Sequence, residues 1–156
     1  MTYDRERIRN IVEAQRSFFR SGKTLDVSWR REQLKKLKAA VLKYEPQLIQ
    51  ALKADLERSE AEGFFCDVGS TILEINEAIA GVRRWARPEN HFSGFTCFPS
   101  IITKVYKMPY GTSLIISPFN FPVLLALGPL AASIAGGNTA VIKASSKSPA
   151  CTKALQ

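Results

Sequence analysis

The chain has 156 residues, 46% of them hydrophobic and 23% charged, which predicts a globular protein with a core and excludes an intrinsically disordered one. Its formal net charge of +8 does not predict a nucleic-acid partner, because the acid-poor second half carries only scattered lysines and no nucleic-acid-binding motif. Cys66, Cys97 and Cys151 form no C-x-x-C pair, so we expect neither a disulfide framework nor a zinc site. The charged N-terminus lacks the apolar segment of a signal peptide. Both features predict a reducing, cytoplasmic location.

The first 88 residues predict a helical region with no chemistry of its own. Apolar residues recur at three- and four-residue steps, and the second helix has Ser28 as a candidate N-cap. Pro46 suits the first turn of the third, and Ser59 with Glu62 has the spacing of a capping box for the fourth, which Pro88 ends. The apolar stripes of the first and fourth helices are Ile8, Ile11, Val12, Phe18 and Phe19, and Phe65, Val68, Ile72, Ile75, Ile79 and Val82. Such stripes are typical of structural helices.

Residues 89–111 are predicted to be a linker and one strand. Pro88, Gly94 and Pro99 indicate an irregular connection over residues 88–100, so His91 is expected to be an ordinary surface residue. Ile101–Lys107 alternates as a strand does, and a turn follows it.

Residues 112–156 predict the start of an α/β domain. Thr112–Ser117 is an apolar strand expected to be buried on both faces, Val123–Ala135 is a small-residue helix closed by two glycines, and Thr139–Lys143 is a second strand. A strand, helix and strand at this spacing form a right-handed crossover, so the two strands should be parallel. Another helix is expected to begin near the last residues.

The uncharged stretch from Leu114 to Ile142 also raises a membrane span. A spanning helix needs about 20 continuous apolar residues, and prolines, glycines and asparagines interrupt every such window here. The sequence therefore favours a buried sheet, and we expect no membrane span.

The segment SLIISPFNFPVLLALGPLAASIAGGNTAVIKASS resembles the first strand, crossover helix and second strand of the cofactor-binding domain of aldehyde dehydrogenases. WRREQLKKLKAAV and LIQALKADLERSEAEGFF resemble the leading helices of that superfamily, particularly its class 3 branch. The resemblance spans most of the chain and identifies it as an N-terminal fragment of such an enzyme. It implies N-terminal helices followed by the first βαβ unit of a Rossmann-like nucleotide-binding domain.

The resemblance implies oxidation of a small-molecule aldehyde to a carboxylic acid with NAD or NADP. Asn120 matches the asparagine whose side-chain amide helps to form the oxyanion hole. A neutral amide needs no counter-ion in an apolar pocket, and one such donor is worth roughly 3–4 kcal/mol to the transition state. Read without the resemblance, an asparagine between two prolines is typical of a turn.

The resemblance also implies the cofactor residues. Lys143 matches the lysine that contacts the adenosine ribose, and Ile116, Ser117, Pro118 and Phe119 match the stretch that borders the cofactor. Ser146 stands where the family usually has a glutamate that bonds the ribose hydroxyls. Loss of that carboxylate removes repulsion toward a 2′-phosphate, which makes NADP use a hypothesis. No G-x-G-x-x-G follows the first strand.

The nucleophilic cysteine and general-base glutamate of the family match no position in this chain, and we expect all three of its cysteines to be non-catalytic. The isolated chain is therefore expected to be inactive and, with its parallel sheet incompletely covered, to self-associate. The class 3 resemblance implies a homodimer at full length. Two alternatives remain: an inactive truncated protein that acts only through binding, and a basic module associated with a membrane or nucleic acid, which salt-dependent pelleting with liposomes or DNA would reveal.

Overall fold

The computed structural model describes residues 4–92, 94, 99 and 102–156. The helices are α1 (Arg5–Arg20), α2 (Val27–Lys43), α3 (Glu45–Leu56), α4 (Glu60–Gly63), α5 (Gly69–Trp85), α6 (Leu124–Ala135) and α7 (Pro149–Ala154), with a 3₁₀ turn at Lys23–Leu25 and a π turn at Phe64–Val68. The strands are β1 (Glu89–Phe92), β2 (Ile102–Val105), β3 (Thr112–Ile116) and β4 (Thr139–Lys143). The predicted order of helices, crossover and final helix is confirmed.

The helix starts follow local capping chemistry. The Ser59 hydroxyl accepts a hydrogen bond from the main-chain N–H of Glu62 at 3.2 Å, and Pro46 lies in the first turn of α3, both as predicted. The prediction of Ser28 as the cap of α2 was wrong. Asp26 occupies that place, because its backbone is extended and its carboxylate accepts from the N–H of Ser28 at 2.8 Å.

The fourth predicted helix is interrupted by the π turn, which joins α4 to α5. The extra residue rotates the following side chains relative to a regular helix, so Phe65 is 73% exposed whereas Asp67 is fully buried. The assignment of Phe65 to the apolar stripe was therefore wrong. Val68, Ile75 and Val82 are fully buried, as the same stripe predicted.

The core lies where α5 packs between α2 and α6. Its largest fully buried apolar side chains come from five elements and the residue before α6, and are Leu34, Leu52, Val68, Ile75, Val82, Cys151 and Val123. Core packing of the α1 stripe is not observed, because no residue of α1 is buried. This helix covers only one end of the β3–β4 sheet, where the main-chain oxygen of Gln15 accepts from the Thr139 hydroxyl at 3.4 Å.

Strands β1 and β2 form an antiparallel pair in which Glu89 faces Val105. The prediction of an irregular connection was wrong for residues 89–92, because pairing with β2 orders a polar and exposed segment that has no strand signal of its own. The predicted strand Ile101–Lys107 is confirmed over Ile102–Val105, and Ile101 lies outside the described residues. His91 is exposed, as expected for a surface residue.

Strands β3 and β4 are parallel, as predicted, with Thr112 opposite Thr139 and Ile116 opposite Lys143. Helix α6 covers one face, where the hydroxyls of Ser113 and Ser133 lie 2.8 Å apart. The prediction that β3 is buried on both faces was wrong, because α1 covers the opposite face only near Thr112 and leaves Leu114 63% exposed.

Candidate functional site

The sheet formed by β3 and β4 ends in one edge at which both strands release their following loops. Ile116 and Lys143 are opposite each other at this carboxyl edge, and the N–H of Ser117 donates to the main-chain oxygen of Lys143 at 3.1 Å. Ligands of open α/β sheets bind beyond the carboxyl ends of the strands. The edge, with residues 117–123 after β3 and residues 144–148 after β4, is therefore the candidate site.

The first loop, residues 117–123, presents a free amide. Ser117 is buried, and its hydroxyl donates within the loop to the main-chain oxygens of Pro118 at 3.2 Å and Pro122 at 3.4 Å. Pro118, Phe119 and Asn120 are exposed. Among the described residues, none accepts a hydrogen bond from or donates one to the Asn120 side chain, which leaves that amide available to a ligand.

The second loop, residues 144–148, lies beside the first. The ammonium of Lys147 is 5.2 Å from the centroid of the Phe119 ring, a cation–π distance. Ser145 organises the loop: its hydroxyl accepts from the N–H of Lys147 at 3.2 Å, and its main-chain oxygen accepts from the Thr152 hydroxyl at 2.8 Å. Lys143 and Ser146 are both exposed here.

The structure thus brings all of the predicted site residues to one edge. The residues after or at the end of β3 are Ile116, Ser117, Pro118, Phe119 and Asn120, and those after or at the end of β4 are Lys143 and Ser146. Of these seven residues only Ser117 is buried, and both its N–H and its hydroxyl are already hydrogen-bonded within the protein. Their individual roles stay predictions.

Two residues that sequence reasoning missed contact the asparagine loop from the helical region. Asp67, on the π turn, forms an ion pair with Arg58 and accepts from the N–H groups of Val123 and Leu124 at 3.1 and 2.9 Å. Arg58 also donates to the main-chain oxygen of Asn120 at 2.7 Å. The available signal was a carboxylate directly before the buried stripe of a helix, where an unpaired charge would be costly.

The N-terminus of α7 is capped by a half-buried carboxylate of α3, Asp55. Asp55 accepts from the N–H groups of Ala150 and Cys151 at 3.1 and 2.7 Å. Burial, followed by this carboxylate, raises the pKa of the Cys151 thiol to about 12. A thiol in that state is a poor nucleophile near neutral pH. Cys66 is a free, half-buried thiol on the π turn, and Cys97 lies outside the described residues.

Two negative findings apply to the described part of the chain. It contains no cluster of three or more histidine, cysteine or carboxylate side chains that could hold a metal ion. None of its helices combines the length and hydropathy needed to cross a membrane.

A parallel strand–helix–strand unit with a loop leaving each strand at its carboxyl edge is typical of α/β proteins that bind ligands at that edge. Within that class, the chain belongs to the aldehyde dehydrogenase family, whose family model matches residues 1–156. The family and the incomplete α/β fold predicted from the sequence are confirmed.

Similar proteins place the chain near family 3 of these enzymes. It is 39% identical over 153 residues to the 4,4′-diaponeurosporen-aldehyde dehydrogenase of Staphylococcus aureus, covering 94% of this chain and 33% of the relative. It is 34% identical to aldehyde dehydrogenase family 3 member I1, chloroplastic, of Arabidopsis thaliana, covering 93% of this chain and 26% of the relative.

A solved structure similar to the chain is the substrate-bound state of Staphylococcus aureus AldH, with a TM-score of 0.92, 35% identity, and coverage of 99% of this chain and 33% of that protein. An NADP complex of glyceraldehyde-3-phosphate dehydrogenase GapN from Methanocaldococcus jannaschii, 24% identical, covers 99% of this chain and 32% of that protein with a TM-score of 0.82, which shows the same fold. The chain spans about a quarter to a third of the length of the relatives it matches.

Proposed function

We propose that the complete gene product containing residues 1–156 oxidises an aldehyde to a carboxylic acid with NAD or NADP. The observation that carries the proposal is Asn120, whose exposed amide follows β3 at the carboxyl edge of a family-matched β3–β4 sheet that also ends in the exposed Lys143. The bound cofactor would accept the hydride. The residues of this chain would bind it along the edge and stabilise the substrate oxygen.

The proposed role of Asn120 is electrostatic. Its amide donates a hydrogen bond to the carbonyl oxygen, and this bond strengthens as negative charge develops on that oxygen during attack by the nucleophile. The Arg58 guanidinium bonds the main-chain oxygen of Asn120 rather than its side-chain amide.

Asn120→Ala in the complete gene product tests this role. Loss of one oxyanion donor lowers kcat by about 10²–10³-fold, with little change in cofactor affinity. Asn90→Ala, at an exposed position of β1 away from the edge, is the matched control and keeps the parent kcat. Equal kcat values for Asn120→Ala and Asn90→Ala would rule out the oxyanion role.

We also propose that the site accepts NADP. Ser146 is exposed and uncharged, and Lys143 and Lys147 flank it, so the edge offers cations and no carboxylate of its own to a 2′-phosphate. Ser146→Glu introduces that carboxylate and lowers the affinity for NADP relative to NAD, measured by titration of both cofactors. Strict NAD preference of the unsubstituted protein would contradict this proposal.

The substrate class, location and assembly are further proposals. Relatives include proteins named fatty aldehyde dehydrogenase HFD1 in Saccharomyces cerevisiae and beta-apo-4′-carotenal oxygenase in Neurospora crassa, which supports an apolar aldehyde as substrate. The free thiols of Cys66 and Cys151 are compatible with a reducing cytoplasm. We further propose a homodimeric enzyme, and an inactive chain when residues 1–156 are assayed alone.

A further inference from the structure

We propose that Arg58 and Asp67 are positioning residues that fix the main chain of the asparagine loop, and so set where the Asn120 amide points. The inference rests on the proposed oxyanion role of Asn120. Neither residue belongs to the carboxyl edge, and both come from the helical region that sequence patterns mark as structural only.

The Asp67 carboxylate holds the C-terminal end of the loop. It is fully buried, and one of its oxygens accepts from both Val123 and Leu124 at the N-terminus of α6. The other oxygen pairs with Arg58, whose side chain is only 11% exposed. A buried carboxylate with this set of partners is fully satisfied, so its geometry is fixed by several contacts at once.

The Arg58 guanidinium extends the contact to the asparagine itself. It donates to the main-chain oxygen of Asn120 at 2.7 Å, and its central carbon lies 4.7 Å from the centroid of the Phe121 ring. Contacts to the Asn120 main-chain oxygen and to the Phe121 ring hold the loop directly after the Asn120 Cα, and they leave the side-chain amide free to meet a ligand.

The π turn explains why Asp67 faces the loop. One additional residue in a helix rotates the following side chains by about 100°, and here the main-chain oxygen of Asp67 accepts from the Thr71 hydroxyl at 2.8 Å. The π turn therefore directs the Asp67 carboxylate toward the start of α6.

Correct positioning of the Asn120 amide affects the rate of the reaction, and this effect can be separated from an effect on stability. An oxyanion donor acts only within hydrogen-bond distance of the reacting oxygen, and displacement by about 1 Å costs on the order of 100-fold in rate. We expect Arg58→Gln to lower kcat by about 10- to 100-fold and to leave the KM for cofactor near its parent value. If the pair were purely structural, its loss would lower the melting temperature without lowering kcat at an unchanged KM for cofactor.

The deciding experiment combines Arg58→Gln with Asn120→Ala in the complete gene product. If Arg58 acts through Asn120, the loss in kcat seen for Arg58→Gln disappears when the amide is already absent, and the two effects are not additive. Arg20→Gln is the control, because it removes a guanidinium from an exposed pair with Glu13 and leaves the loop untouched.

Fully additive losses, or a parent-like kcat for Arg58→Gln, overturn the inference. If Arg58→Gln does not fold, Arg58→Lys is read in the same way, since it keeps a charge opposite Asp67 but lacks the fork that also reaches the Asn120 oxygen. A parent-like kcat for Asn120→Ala instead refutes the proposed function, so the two failures are distinguishable.

Discussion

Replacement of Arg30 by methionine should destabilise the junction between the helical region and the βαβ unit. Arg30 is 7% exposed and lies in the first turn of α2. Its guanidinium donates to the main-chain oxygens of Thr24 at 2.6 Å, Leu25 at 3.2 Å and Ala135 at 3.3 Å. Burial lowers the pKa of Arg30, but an arginine in such a site stays protonated.

The expected magnitude follows from the partners that are left behind. Hydrogen bonds to a charged group contribute about 1.5–3 kcal/mol each, and the partly exposed Leu25 can exchange its bond for one to water. The carbonyls of the buried Thr24 and Ala135 cannot do so, which gives a loss of about 3–6 kcal/mol. Relief of the buried charge offsets part of it, so the net destabilisation is about 2–4 kcal/mol.

Hydrogen exchange of the complete gene product measures this loss locally, in peptides over residues 23–26 and 132–138. Arg30→Met should speed exchange in both. Arg20→Met, which removes a largely exposed guanidinium, should change stability by less than about 1 kcal/mol. A change below about 0.5 kcal/mol for Arg30→Met would refute the reasoning.

Three further outcomes are expected. Cys151 should resist alkylation at about pH 8 while Cys66 reacts, and rapid labelling of Cys151 in the native protein would contradict this. The stabilising effect of the protonated Cys151 thiol should be lost as pH rises from 9.0 toward about 12, because the thiol of the unfolded chain ionises first. Gly137→Ala should lower stability by more than Gly22→Ala. Both glycines have positive φ, but only at Gly137 would a Cβ lie 2.5 Å from the Arg30 guanidinium. Thermal unfolding of the two variants measures the difference, and equal losses would count against the close approach. Asp55→Ala should speed hydrogen exchange in residues 149–154 through loss of a cap worth about 1 kcal/mol, whereas unchanged exchange would show that the cap is dispensable.

The βαβ unit could be predicted closely because its signals are local. Apolar runs of strand length, a helix closed by two glycines and short connections specify β3, α6 and β4 without reference to the rest of the chain. The parallel pairing then follows from the crossover, and it places Asn120 and Lys143 at one edge.

The remaining features depend on contacts that are distant in sequence. Asp67 and Leu124 are 57 residues apart, and no periodicity indicates that a π turn will bring them together. Arg30 is a buried charge in α2 whose guanidinium bonds a carbonyl 105 residues away. Strand β1 exists because β2 pairs with it, although its own residues are polar.

The measurement that tests the central claim most directly is a crystal structure of the complete gene product with NADP bound. We expect the adenosine ribose within hydrogen-bond distance, about 3 Å, of the Lys143 ammonium, and the Asn120 amide directed toward the nicotinamide side of the edge. A cofactor bound away from the carboxyl ends of β3 and β4, or an Asn120 amide bonded into the protein interior, would contradict the account.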